Sequence, residues 1–307
     1  MDKLWDGLLQ GIVPKGFDVM AALANGLRGA IVAGPGKTLF VADYAAIEAR
    51  VVMWLAGEDD ALEEFRSGAD IYLSMASDIY GYPCNKKDHP NERQVGKTAI
   101  LGLGFQMGAS KFQATCLAMA GVTIDDAMAQ TVVDTYRERF ARVKALWYDQ
   151  EAAAIRAVNT RKPVHCGYVT WILDGRFLYC ELPSGRRIAY PDPQIKPRAT
   201  PWGDVKSSLS FMGMNAYTRK WERQSTYGGS IVENITQAVA RDVMAEAMLR
   251  VERSPNYDLV LSVHDEIIAE SASGDIKQFE QMVSRVPKWA AGLPIAVEGF
   301  SAFRYRK

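Results

Sequence analysis

Four side chains between residues 91 and 108 have the types and the spacing to bind a ligand with a charged end and an apolar end. These are Arg93, Lys97, Leu101 and Phe105, each four residues after the last. On a helix, a four-residue step advances about 40° around the axis, so the side chains would form one slowly winding stripe. Because two cations precede two apolar groups, the stripe suits a nucleoside triphosphate.

The same stretch is predicted to be one helix, and its glycines support a bound ligand only weakly. Gly96, Gly102 and Gly104 each cost a helix about 1 kcal/mol relative to alanine, which suggests that something approaches the backbone closely. An ordinary amphipathic helix with a solvated basic end would explain the stripe equally well.

Acidic residues end two predicted hydrophobic strands. The segment TLFVADY is predicted to be a buried strand ending at Asp43, where a carboxylate is costly unless it binds something positive. Near the C-terminus, DLVLSVHDEIIAE predicts a β-hairpin that turns at His264, Asp265 and Glu266. The alternative for Asp43 is an ordinary helix N-cap, with Glu48 facing solvent.

The segment GPGKT, residues 34–38, resembles part of a phosphate-binding loop. A Walker loop also needs a glycine at position 31, where this chain has Ile31, and a helix after the lysine and threonine. Here a strand is predicted to follow. A P-loop NTPase is therefore disfavoured.

Composition predicts a folded globular protein with no global affinity for nucleic acid. The 307 residues are 48% hydrophobic, and the 36 basic residues balance the 36 acidic ones. Nucleic-acid binding would therefore depend on local patches where aromatics lie among cations. The candidates are residues 86–97, 183–198 and 217–224, although such runs are more often solvated faces.

Neither a structural metal nor a membrane is predicted. The cysteines show no CxxC pairing and no metal-ligand spacing with the histidines, so they are expected to be reduced thiols of a cytoplasmic protein. They are Cys84, Cys116, Cys166 and Cys180. The N-terminus lacks a secretion-type leader, and no apolar run approaches the roughly 20 residues that span a bilayer.

Periodicity divides the chain into helical and strand-rich parts. Residues 17–27 and 230–253 are predicted to be helical, and 60–160 form a strongly helical block. Residues 163–228 are predicted to be short hairpins, whose aromatics are assigned to a core or a hairpin face. Those aromatics are Trp171, Tyr179, Tyr190, Trp202 and Trp221. A helix over 276–290 and a final strand complete the chain.

Three segments together resemble the polymerase motifs of family A DNA polymerases, the bacterial DNA polymerase I group, in versions closest to those of bacteriophages. The segments are DYAAIEAR (43–50), RQVGKTAILGLGF (93–105) and VHDE (263–266). Their order and spacing agree with that family from about residue 15 to the end. The resemblance implies a template-directed DNA polymerase that adds dNTPs to a primer 3′-hydroxyl.

The resemblance also implies a catalytic centre with two Mg²⁺ ions, for which Mn²⁺ could substitute. Asp43, Asp265 and the backbone carbonyl of Tyr44 would hold the metals, with Glu266 as an auxiliary carboxylate. Strand-borne carboxylates are suitable hard ligands for Mg²⁺. His264 would lie near the primer terminus, and Gln237 and Arg50 would contact the primer-template.

For the incoming dNTP, the resemblance assigns the triphosphate to Arg93 and Lys97, with Lys97 also serving as a catalytic proton donor. Glu48 would lie under the sugar and exclude a 2′-hydroxyl. Leu101 and Phe105 would complete the dNTP site, and Tyr72 would face the phosphates.

Several positions depart from the family pattern. Leu101 stands where an aromatic residue is usual, Phe105 where a tyrosine is usual, and Tyr72 where a histidine is usual. Leu101 puts sugar discrimination by that side chain in doubt and leaves more of it to Glu48.

The implied fold is α+β: a palm with a small antiparallel sheet and packed helices, plus a mainly helical fingers subdomain. The expected boundaries are 1–60 for the first part of the palm, 61–228 for the fingers with the hairpin segment, and 229–307 for the second part of the palm. No thumb or proofreading exonuclease is recognised. We therefore expect low processivity or a separate polypeptide that supplies a thumb.

Primer-template DNA and dNTPs are the expected partners, in the cytoplasm, that of the bacterial host if a phage encodes the chain. A catalytically idle nucleic-acid-binding or subunit module descended from a polymerase is the alternative. It is disfavoured because a binding module gains nothing from a like-charged carboxylate pair.

Overall fold

The computed structural model describes residue 26, residues 29–199, residue 203 and residues 205–305. The predicted helix over residues 17–27 and the predicted hairpin aromatic Trp202 lie outside these residues. Two compact units emerge from the distribution of contacts. Unit 1 consists of an N-terminal segment that ends at Ala45, together with Met244–Arg285 and Ile295–Lys307. Unit 2 consists of Ala46–Val243 and Val286–Pro294.

Along the chain, β1 is followed by a helical block, then by a strand-rich block, and finally by a C-terminal part that contains both helices and strands. In chain order they are β1 (Thr38–Tyr44), α1 (Ile47–Ala56), α2 (Asp59–Ser67), α3 (Ile71–Tyr80), α4 (Pro90–Gly102), α5 (Ala109–Thr115), α6 (Asp126–Arg139), α7 (Ala141–Thr160), β2 (Val164–Cys166), β3 (Val169–Asp174), β4 (Phe177–Glu181), β5 (Arg187–Pro191), β6 (Gln194–Ala199), β7 (Val205–Met214), β8 (Trp221–Ser225), α8 (Gly228–Glu252), β9 (Asp258–Val263), β10 (Glu266–Ser271), α9 (Ile276–Ser284) and β11 (Val297–Ala302).

Unit 1 is built on an antiparallel sheet with the strand order β11-β1-β10-β9. One face carries Leu39, Val41 and Ile268, which pack with Tyr305 in a buried apolar cluster. On the other face, Phe40 makes an edge contact with Phe279 of α9. Because β1 is covered on both faces, it is a nearly continuous apolar strand, as predicted.

The helix predicted over 276–290 ends earlier, at Ser284. Arg285 is already extended, with φ −63° and ψ 119°, and Pro287 follows two residues later. A residue before proline avoids the helical region, so the chain cannot continue as a helix through Val286. Only a short 3₁₀ turn forms beyond it, at Lys288–Ala290.

In unit 2, long periodic stretches are divided into shorter helices. The helical pattern that follows β1 is interrupted at Gly57, whose φ of 73° caps α1. Within the predicted helical block, α6 and α7 are separated at Phe140, which lies outside the helical region with φ −109° and ψ 59°. Thus periodicity located the apolar faces but not the helix ends.

The strand-rich block of unit 2 forms two antiparallel sheets, ordered β2-β3-β4-β5 and β6-β7-β8. This confirms the predicted hairpins. Trp171 and Tyr190 are buried core residues, whereas Trp221 is 58% exposed. Within the part of the chain that the structure describes, no helix has the length and apolarity to cross a membrane.

Candidate active site

The pairing of β1 with β10 brings the distant acidic residues of unit 1 to one edge of the sheet. Asp43 lies directly opposite Glu266. The next pair continues the register, because the Tyr44 amide donates to the Asp265 carbonyl at 3.2 Å. Asp43 and Asp265 therefore lie on adjacent chain segments, although 222 positions separate them along the sequence.

The carboxylates differ in their surroundings. Glu266 is 2% exposed and accepts a hydrogen bond from the Tyr305 hydroxyl, whereas Asp43 and Asp265 are half-buried. Glu298 on β11 lies opposite Asp43 from the other side and is exposed. Directly opposed residues project from the same face of a sheet, so Glu298, Asp43 and Glu266 form one acidic row. None of the three motifs includes Glu298.

The hairpin turn between β9 and β10 presents His264 to solvent. His264 is exposed and adopts a left-handed conformation with φ 51°, which is uncommon for a residue with a side chain. The turn is tight because Val263 already pairs with Glu266. Its geometry therefore fixes Asp265 at the end of the hairpin.

The donors at this edge suit Mg²⁺ better than a softer metal. Asp43 and Asp265 supply carboxylate oxygens, and Mg²⁺ is usually held by one or two carboxylates together with waters and substrate phosphates. Among the described residues, no group of three or more His, Cys, Asp or Glu side chains is arranged to hold a metal ion. The two carboxylates at this edge fit an ion whose remaining ligands are waters and phosphate oxygens.

Replacing Tyr305 with phenylalanine should lower the free energy of unfolding by about 2 kcal/mol. Both the Tyr305 ring and Glu266 are buried, so the variant removes one donor from a desolvated carboxylate. Urea denaturation would measure the change. Tyr82→Phe is the matched control because the hydroxyl of the exposed Tyr82 donates a solvent-exposed hydrogen bond to Glu92. A variant as stable as wild type would show that this hydrogen bond contributes no net stability.

Unit 2 contains a cavity of about 590 Å³ beside helix α4. This volume is within the usual range for small-ligand sites. Lys97, Leu101 and Phe105 from the predicted stripe line it, and so does Glu48. Lys111 adds a second cation that the sequence did not single out. Glu233 lines it as well, so two cations and two carboxylates share the cavity with apolar side chains.

The predicted single helix over 91–108 ends at Gly102 and continues as a 3₁₀ turn, Leu103–Phe105. Two contacts hold this turn. The Trp147 indole donates to the Gly104 carbonyl at 2.6 Å, and the Gly229 amide donates to Gln106 Oε1 at 2.9 Å. Phe105 thus reaches the cavity from an anchored turn rather than from the helix.

The start of helix α8 packs tightly against its neighbours in unit 2. A Cβ on Gly228 would lie 2.1 Å from the Trp147 carbonyl oxygen, and one on Gly229 would lie 2.4 Å from that of Phe105. Real side chains do not tolerate such distances. Both positions therefore require glycine.

Arg93 and Tyr72 lie together but do not line the cavity. The Arg93 guanidinium bonds Asp70 at 2.8 Å and lies 5.3 Å from the centre of the Tyr72 ring. Burial raises the pKa of Tyr72, and the charge of Arg93 opposes this. Asp70 also caps α3 by accepting from the amides of Tyr72 and Leu73. The sequence missed Asp70, which fixes the position of Arg93.

The predicted close approach to the backbone occurs at Gly96, but the neighbour is not a ligand. A Cβ there would lie 2.2 Å from the Tyr72 carbonyl oxygen, so helix α3, rather than a ligand, approaches the backbone. Gly104 lies near the Tyr136 hydroxyl. Of the three glycines, only Gly102 lines the cavity.

The two predicted primer-template contacts of unit 2 differ in exposure. Gln237 is exposed on α8. Arg50 is buried: its guanidinium donates to the Pro294 carbonyl and lies 4.4 Å from the centre of the Phe65 ring. Burial lowers the pKa of Arg50. Its position does not favour a contact with DNA.

Comparison with known families identifies the class of protein that this fold and these motifs define. A family model described as DNA polymerase family A matches residues 9–302. The chain belongs to DNA polymerase family A. This confirms the resemblance that the three motifs predicted.

Individual relatives agree with this assignment. A DNA polymerase of Bacillus phage SP02 is 36% identical over 306 residues, which cover 98% of this chain and 45% of the relative. The thermostable DNA polymerase I of Thermus filiformis is 25% identical over 91% of this chain and 28% of its own length. The chain thus spans less than half the length of either relative.

A solved structure supports the fold. The POL domain of Pol1 from M. smegmatis, in complex with DNA primer-template and dNTP, matches with a TM-score of 0.58 and 18% sequence identity. The match covers 95% of this chain and 44% of that one. The predicted α+β fold class is confirmed. None of these similarities supports a separate thumb-bearing polypeptide, which was one of the two alternatives expected from the sequence.

Proposed function

We propose that this chain catalyses template-directed addition of dNTPs to a primer 3′-hydroxyl by two-metal nucleotidyl transfer. The observation that carries the proposal is the register of β1 and β10, which brings Asp43 and Asp265 to the same edge of one sheet. Family membership supports it independently. In this proposal unit 1 supplies the metal-binding carboxylates of the palm, and unit 2 supplies the fingers.

Asp43, Asp265 and the Tyr44 carbonyl would hold the metals, with Glu266 as the buried auxiliary carboxylate. Two Mg²⁺ ions, when bound, supply charge that lowers the pKa of the primer 3′-hydroxyl and neutralises the leaving pyrophosphate. Mn²⁺ can take the same oxygen ligands. His264 would lie near the primer terminus.

The cavity of unit 2 is the proposed dNTP site. Lys97 would donate to the triphosphate and protonate the leaving pyrophosphate, while Leu101 and Phe105 pack against the base and sugar. Arg93, held by Asp70 and stacked on Tyr72, would offer its remaining donors to the outer phosphates. The exposed Gln237 is the proposed primer-template contact of α8.

A primer-extension assay with one dNTP at a time tests this function. The expected result is Mg²⁺-dependent addition only of the nucleotide complementary to the next template base. Addition that ignores the template would contradict the proposal. Binding of primer-template with no extension by the wild-type chain would instead favour the catalytically idle module.

Glu48→Ala is expected to raise ribonucleotide incorporation at least about tenfold relative to deoxyribonucleotides. Glu48 lines the same cavity as Leu101 and Phe105, so its carboxylate can exclude a 2′-hydroxyl from the sugar position. A tenfold change corresponds to about 1.4 kcal/mol, which is within the range of one buried polar interaction. The measurement is the ratio of kcat/KM for rATP and dATP.

The control for this variant is Glu63→Ala, which removes an exposed glutamate from α2. Its selectivity should equal that of wild type. If Glu48→Ala also leaves the ratio unchanged, the assignment of Glu48 to sugar selection is wrong.

A further inference from the structure

The hairpin between β7 and β8 ends in a turn whose shape is set by its own hydrogen bonds. The Asn215 side-chain oxygen accepts from the amides of Tyr217 and Thr218 at 2.8 and 3.1 Å. The Asn215 main chain also bonds Arg219 and Lys220. The turn is therefore a defined structure that presents its remaining side chains outward.

The only acidic residue of this hairpin tip is used to build the turn. Glu222 accepts from the Asn215 side-chain amide at 2.5 Å and from the Thr218 hydroxyl at 3.1 Å. Arg219 and Lys220 are exposed and form no ion pair within the described part of the chain. The tip thus keeps a net positive charge.

Large apolar side chains accompany these cations. Tyr217 is 97% exposed, Trp221 58% and Met214 60%. Met214 and Trp221 are directly opposite each other in the hairpin, so they project from the same face. Two aromatics, Tyr217 and Trp221, therefore flank the two adjacent cations within five consecutive positions of a turn with a defined structure.

We propose that this tip, residues 214–222, is a docking surface for single-stranded DNA. Tyr217 and Trp221 stack on bases, and Arg219 and Lys220 contact phosphates. Two unpaired cations complement a polyanion, and exposed aromatic faces complement bases, which a single strand leaves accessible and a duplex does not. The proposal rests on the proposed function only for the identity of the bound polyanion. A polymerase template is single-stranded ahead of the primer, so the template is the single-stranded DNA that we expect here.

The test measures binding of a fluorescent 20-nucleotide oligo-dT by anisotropy, without dNTPs, at several salt concentrations. Tyr217→Ala combined with Trp221→Ala should raise Kd at least about tenfold, because stacking on an aromatic side chain contributes strongly for each base. Arg219→Gln combined with Lys220→Gln should reduce the slope of log K against log salt by about 1.4, since two phosphate contacts are lost.

Arg161→Gln combined with Lys162→Gln is the matched control. These residues are also adjacent, exposed and basic, and Arg161 has φ 54° where Arg219 has φ 53°. The control should bind the oligonucleotide like wild type. The proposal would be overturned if the control and the tip variants weakened binding equally. It would also be overturned if the wild-type protein did not bind the oligonucleotide, or if both tip variants bound it with the affinity of the wild-type protein.

The same proteins separate this proposal from the proposed function. Primer extension by wild type, together with unchanged oligo-dT binding by the tip variants, would overturn the docking surface alone. Tip-dependent oligo-dT binding without any primer extension would support the docking surface and contradict the proposed polymerase activity.

Discussion

Asp265→Ala is expected to reduce the rate of primer extension at least about a thousandfold, which corresponds to a loss of about 4 kcal/mol of transition-state stabilisation. Asp265 is one of the two proposed metal-binding carboxylates, and its position beside Tyr44 is fixed by the sheet. Without the Asp265 carboxylate, the proposed metal site would be incomplete, and the negative charge that develops on the reacting phosphate would not be neutralised. Single-turnover extension with saturating dNTP would measure the chemical step.

The fold should survive this substitution. Asp265 is half-buried in a turn, and removing one of two neighbouring carboxylates relieves their mutual repulsion. We therefore expect the free energy of unfolding to stay equal or to rise. Asp174→Ala is the matched control because Asp174 is an exposed aspartate at the end of the β3–β4 hairpin. Extension by Asp265→Ala within tenfold of this control would contradict the proposed metal role.

Gly96→Ala is expected to destabilise the protein by about 2 kcal/mol or more. Alanine gains about 1 kcal/mol over glycine from helix propensity alone. The new methyl group, however, would lie 2.2 Å from the Tyr72 carbonyl oxygen and 3.0 Å from the Ala76 amide nitrogen. Since both atoms belong to the backbone of α3, the two helices must separate, and we expect this overpacking to cost about 3 kcal/mol or more, which exceeds the gain in helix propensity by about 2 kcal/mol. Chemical denaturation would measure the loss.

Gly102→Ala separates this clash from the general effect of adding a methyl group. It lies in the same helix, but its Cβ would meet only the flexible tip of Met107, at 3.2 Å. Its stability should stay within about 1 kcal/mol of wild type. If both variants have the same stability, the close contact between α3 and α4 does not determine which residue position 96 can hold.

Local patterns were sufficient to predict the elements of the acidic edge. The apolar run before Asp43 and the hairpin around His264 both form as predicted, because each depends on residues that are adjacent in the chain. The resemblance to known motifs then identified Asp43 and Asp265 as partners. Glu298 could not be found in this way, since it enters the acidic row only through the pairing of β11 with β1.

The stripe on α4 shows what the spacing of residues along one helix could not predict. Spacing placed Lys97 and Leu101 correctly on the cavity, but it could not show that Arg93 is held by Asp70, 23 residues away in the sequence. The spacing also could not show whether a ligand or helix α3 approaches Gly96. These outcomes depend on packing between elements, for which a helical period carries no information.

The two glycines that begin helix α8 limit how the cavity of unit 2, the proposed dNTP site, could change during evolution. Any side chain at Gly228 or Gly229 would push against backbone atoms, one set at Trp147 and the other in the turn that carries Phe105. That turn therefore cannot accept a side chain at Gly229 without displacing Phe105, which lines the cavity. Altered nucleotide preference is expected to arise instead from side chains that line the cavity directly, such as Leu101 and Met119.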